Sequence, residues 1–174
     1  MRATRIIIQA LTAAATAVAV ASCDTIDDER IPRMAVNINL SDIGLWNSYG
    51  VAGFGDSRRF ILGSGVREPA GFAYSQTSAT GFGGVLLIGG MDAFTTQTGV
   101  PLAYDLACPV ERSRDVRVRV EPERYEAVCD ACGSHYDVTM GAGRPLSGPA
   151  ARMNYGLRNY QCLPTQQGGY IITN

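Results

Sequence analysis

The chain has 174 residues, 46% of them hydrophobic, and its 15 basic side chains against 16 acidic ones leave a net charge of −1. That length can bury the core of one domain, while the near-neutral charge excludes the basic footprint of a nucleic-acid binder. Every basic residue is Arg, which excludes phosphate-loop, Schiff-base and kinase-type lysines, and His135 is the lone histidine, which excludes sites built on a histidine pair.

Chain order begins with Arg2 and Arg5, then an apolar stretch over residues 6–20, closing on Val20-Ala21-Ser22-Cys23. A positive start, a short apolar core and small residues before a cleavage point read as a bacterial export signal over residues 1–22. The core is short and Ala-rich for a membrane span, which needs about 20 strongly apolar residues. The closing four residues resemble the lipobox of bacterial lipoproteins, which implies that Cys23 is the lipid-attachment site. The same resemblance implies a cell-envelope location, facing the periplasm or on the outer surface of the outer membrane, with a membrane contact through the anchor. The acidic run Asp24-Thr25-Ile26-Asp27-Asp28-Glu29 opens a segment over residues 23–35 that reads as a solvated tether.

The body reads as all-β. Candidate strands fall at 35–40, 59–62, 85–88, 102–106, 116–120, 124–128 and 170–173, separated by turns rich in the chain's 20 Gly and eight Pro. Val116-Arg117-Val118-Arg119-Val120 alternates at period two, as a strand with one wet face does. No segment carries a capped stripe of 3.6-residue period, so no helix is expected. Residues 63–84 read as an extended surface loop, and Trp46, Phe54 and Tyr74 as core or as a docking surface. The clusters Gly50–Gly55 and Gly81–Gly84 lack the strand–turn–helix setting and ribose-binding acid of a dinucleotide site, so no nucleotide is expected.

The chemistry lies on two turns of the second half. Leu106-Ala107-Cys108-Pro109-Val110-Glu111 follows an apolar strand, and Cys129-Asp130-Ala131-Cys132-Gly133-Ser134-His135-Tyr136-Asp137 follows another. Two Cys-bearing turns from neighbouring hairpins can converge on one metal centre, and thiolates serve zinc and iron–sulfur alike.

These motifs resemble the Rieske-type [2Fe-2S] domain, with a first Cys box, a hairpin and a second box. Gly133-Ser134-His135-Tyr136-Asp137 matches the second box of the respiratory members. Gly148-Pro149-Ala150 falls at the proline loop, and Leu157, Tyr160 and residues 169–173 continue the likeness. The resemblance covers about residues 85–173. It implies a Rieske-like antiparallel barrel or sandwich over 85–174, preceded by a β- and loop-rich extension over 36–84. It further implies an electron-transfer role with a redox partner protein, and no catalytic residues are expected. Cys108, Cys129 and Cys132 would be the metal ligands, Ser134 and Tyr136 would donate hydrogen bonds at the cluster, and Gly148 and Pro149 would form its cover loop.

The ligand set departs from the family. Val110 stands at the first His position and Cys132 at the second, and Ser113 and Ala131 replace the extra disulfide pair. Cys162 and Glu111 are the candidates for a fourth ligand. A cluster with thiolates in place of imidazoles carries more negative charge and has a lower potential. The other readings are a cluster-free scaffold held by disulfides among Cys108, Cys129, Cys132 and Cys162, acting as a structural or binding lipoprotein, and zinc held with Cys162 or His135.

Overall fold

The computed structural model describes residues 25–63, 65–92, 94–140 and 142–174. The segment read as an export signal and Cys23 lie outside these. Strand β1 (Val36–Asp42) alternates Val36, Ile38 and Leu40 inward and leads into helix α1 (Ile43–Tyr49), which Asp42 caps by accepting from the Leu45 N–H at 2.9 Å. There follow β2 (Ser57–Gly63), β3 (Val66–Glu68), β4 (Ala79–Thr80), β5 (Val85–Met91) and β6 (Thr98–Asp105). The second half holds β7 (Arg119–Glu121), β8 (Glu126–Val128), β9 (His135–Asp137), β10 (Arg144–Ser147), helix α2 (Gly148–Met153), β11 (Asn159–Pro164) and β12 (Gly168–Thr173).

The strands of the described residues form two antiparallel sheets, so the fold is all-β. One runs β3-β2-β5-β6-β11-β12-β1-β4 and the other β10-β9-β8-β7. The larger sheet curls until its two ends approach, and the Thr80 hydroxyl on β4 accepts from the Leu62 N–H on β2 at 3.3 Å. The strands drawn from 36–84 thus belong to the same sheet as β5, β6, β11 and β12.

Strand β5 shows why the core has two compartments. Val85 and Leu87 face the inside of the curled sheet with Ile38, Leu40, Phe60 and Ile172, while Leu86 and Ile88 face outward, against the small sheet. A strand buried on both faces needs the unbroken apolar run Val85-Leu86-Leu87-Ile88 rather than an alternating one. The outer compartment joins Leu86, Ile88, Tyr104 and Leu106 to Val118, Ala127, Tyr136, Val138 and Leu157. It is this compartment that holds Cys108 and Cys129.

Several expectations change. The described residues form two short helices: α1 has seven residues and no buried one, so it carries no apolar stripe to read, and α2 has six residues with Pro149 in its first turn. The loop expected over 63–84 contributes β3 and β4. Of the expected strand at 116–120, only Arg119 and Val120 join the ladder, while Arg117 makes an isolated bridge to Ala107. Trp46 and Tyr74 pack half-buried against the inner core, whereas Phe54 is exposed and meets the Tyr125 ring edge-on at 5.1 Å.

The segment expected to be a solvated tether is strapped to the body from Thr25 onward. Asp27 bridges to Tyr155 in parallel, the Asn154 amide donates to the Thr25 carbonyl at 2.8 Å, and Arg30 lies 4.3 Å over the Tyr155 ring. Ile31 is wholly buried, and the Arg158 guanidinium donates to its carbonyl at 2.8 Å. The acidic composition of this run hid the apolar anchors Ile26 and Ile31.

Candidate metal centre

The two cysteine turns are held by their own backbone bonds. Cys108 donates its N–H to Val116 (3.0 Å) and accepts from Arg112 (2.9 Å), so the first turn closes on itself. In the second, the Gly133 N–H donates to the Cys129 carbonyl (2.8 Å) and the Cys129 N–H to the Ser134 carbonyl (2.9 Å). Asp105, at the end of β6, fixes where the first turn starts. Its buried carboxylate accepts from the N–H groups of Phe82 (2.8 Å), Gly83 (2.9 Å) and Ala107 (2.7 Å) and from the Tyr160 hydroxyl (2.6 Å). Burial raises the Asp105 pKa despite these donors.

The turns bring Cys108, Cys129 and Cys132 together, with all three sulfurs within 4.8 Å of one another. Cys108 and Cys129 are fully buried and Cys132 half-buried, so the group has one face toward solvent. Cys108 Sγ lies 3.6 Å from Cys132 Sγ and 3.4 Å from the Tyr136 hydroxyl. Cys132 Sγ lies 3.1 Å from the Ser134 hydroxyl, whose oxygen also accepts from the Ala150 N–H at 3.1 Å. All three are free thiols, and a metal ion could be bound between them.

The entry to α2 explains Gly148. This residue sits at φ +76°, and a Cβ on it would lie 2.8 Å from both the Gly133 carbonyl oxygen and the Ser134 Cα. Glycine therefore lets α2 settle against the second turn, which places the Ala150 N–H on Ser134. Pro149 occupies the first turn of α2, where its missing N–H costs no bond.

The thiols are not equivalent. Burial raises the pKa of Cys108, and it pushes that of Cys129 up to about 12. Cys132 is also penalised by burial, but the hydroxyl and N–H of Ser134 and the neighbouring thiols hydrogen-bond to it and bring its pKa below the ordinary thiol value. Cys132 is thus the first of the three to ionise, and the other two become thiolates when a metal displaces their protons.

The remaining sequence candidates lie elsewhere. Cys162 is on β11 in the inner core, opposite Ile172 in the ladder, and is not part of the sulfur group. Glu111 is exposed on the first turn and likewise outside the group, as is His135, whose Nδ1 pairs with the Glu126 carboxylate at 2.8 Å. Val110 packs on the outer core and offers no donor atom. Among the described residues, three thiols from a single chain could serve as metal ligands. What sequence reasoning missed is Ala150 as the donor that orients Ser134, a backbone contact that depends on the αL conformation of Gly148.

No protein-family model matches this chain, and no curated protein matches it.

Proposed function

We propose that this protein is a lipid-anchored envelope protein whose Rieske-like domain holds iron on Cys108, Cys129 and Cys132, as a [2Fe-2S] centre, and carries electrons to or from a redox partner. The single observation that carries the reading is the convergence of three sulfurs from two turns with two hydroxyl groups aimed at them. When bound, the cluster supplies a one-electron couple. The residues present bind and tune it. The Tyr136 hydroxyl donates to Cys108 Sγ, Ser134 holds Cys132, and the outer core keeps water from two of the three thiolates. Glu111 and Cys162, the fourth-ligand candidates of the sequence, stand outside the group of three sulfurs.

A second reading is a single zinc ion. Zinc–sulfur bonds of about 2.3 Å in a tetrahedron place sulfurs about 3.8 Å apart, close to the 3.6 Å between Cys108 and Cys132. Protein purified without oxygen decides between them: iron with visible colour that Cys132→Ser abolishes supports the first reading. Colourless protein with one zinc per chain supports the second.

A further inference from the structure

A cleft of about 500 Å³ opens at the end of the curled sheet where α1 leaves β1, remote in sequence from both cysteine turns. Its walls are Ile43, Trp46 and Asn47 of α1, residues 50–52 of the turn that follows, Arg58 of β2 and Tyr170 of β12. The volume falls in the range of small-molecule sites, about 300–1,000 Å³, and barrel mouths are a preferred location for them.

The lining is built rather than incidental. Trp46 and Tyr170 form an aromatic wall, with ring centroids 4.6 Å apart and planes tilted by 45°. Gly50 holds the indole in place: its N–H donates to the Trp46 carbonyl at 2.7 Å, and a Cβ there would lie 2.5 Å from the indole ring. Asp56 anchors the facing wall, accepting from the Ala52 N–H at 3.0 Å and from Arg58 Nη1 at 2.7 Å. Arg58 Nη1 is therefore used within the protein, and its charge is already compensated by Asp56. The Asn47 amide, the indole N–H and the rest of the Arg58 guanidinium have no hydrogen-bond partner among the described residues.

We infer that this cleft binds a neutral carbohydrate ring. A pyranose has an apolar C–H face for the aromatic wall and hydroxyls for an amide and a guanidinium edge. A charge-compensated Arg58 gives an anion little advantage. A purely apolar ligand would leave the donors of Asn47 and Arg58 desolvated without partners. The inference is independent of what the cysteines hold.

The chain has one tryptophan, so Trp46 reports on its own site. The full chain is titrated with cellobiose, maltose and diacetylchitobiose, with glucuronate as the charged comparison, while Trp46 emission is followed. At least one neutral disaccharide is expected to shift the emission saturably, with a Kd of about 1 mM. Asn47→Ala and Arg58→Gln are each expected to weaken it at least about tenfold. Circular dichroism checks that both variants remain folded, and Cys132→Ser is expected to bind as the parent does. The inference is overturned by three results: no response to any of the neutral sugars, tighter binding of glucuronate, or binding that survives both cleft substitutions.

Discussion

Ser134→Ala separates the candidate centre from ordinary turn structure. The Ser134 side chain is fully buried and serves two partners, the Ala150 N–H and Cys132 Sγ, each at 3.1 Å. Removing the hydroxyl leaves the Ala150 N–H desolvated without an acceptor, at about 1–3 kcal/mol, and removes one thiol contact of about 0.5–1.5 kcal/mol. The apoprotein should lose about 2–3 kcal/mol, a large part of the 5–15 kcal/mol typical of a domain. In the loaded protein the lost donor to Cys132 sulfur should lower metal affinity about 10–100-fold, as removal of an outer-shell partner does. Urea denaturation of the chelator-treated protein measures the first effect and competition with a chromophoric chelator the second. Ser147→Ala is the control, since the Ser147 side chain is exposed and makes no capping bond; it should stay within about 0.5 kcal/mol of the parent. If Ser134→Ala and Ser147→Ala behave alike in both assays, the hydrogen bonds assigned to Ser134 do not act.

Other substitutions probe the remaining parts. Cys132→Ser should abolish metal binding yet change apoprotein stability by less than about 1 kcal/mol, because the side chain is half-buried; denaturation and metal analysis give both numbers. In chelator-treated protein, mild oxidation should join Cys108 to Cys132, whose sulfurs are 3.6 Å apart, and peptide mapping should show Cys162 still free. Asp105→Ala strips an acceptor from three backbone N–H groups and the Tyr160 hydroxyl and should cost about 3 kcal/mol or more, read by urea denaturation. Burial pushes Cys162 up to about 12, above an unfolded thiol near about 8.5. Its contribution to stability is therefore fully present below the unfolded pKa and is lost as pH rises through the folded one. Stability should fall less steeply above about pH 9 in Cys162→Ala than in the parent, and equal slopes would contradict the assignment.

Much of the fold was legible because its physics is local. The short apolar, β-branched runs at 35–40 and 85–88 announced β1 and β5. Strands β9 and β10 escaped notice because they are short and carry His135, Asp137, Arg144 and Pro145. Their ladder bonds to neighbours, rather than their own residues, define them. At the site, the spacing of Cys108, Cys129 and Cys132 was enough to suggest convergence, since turns at the ends of paired strands meet by construction. The place of Cys162 was not legible: whether it faces the inner or the outer core depends on the parity of β11, which only the register with β12 sets. The strap at residues 25–31 was hidden for a different reason, since two isoleucines among acids do not raise local hydrophobicity enough to signal burial.

The most direct measurement is iron and acid-labile sulfide per chain in protein purified anaerobically, paired with electron paramagnetic resonance of the dithionite-reduced sample. About two irons and two sulfides per chain are expected, with a signal on reduction that is absent from Cys132→Ser. Protein that takes up no iron under reconstitution and gives no signal would contradict a cluster on these cysteines.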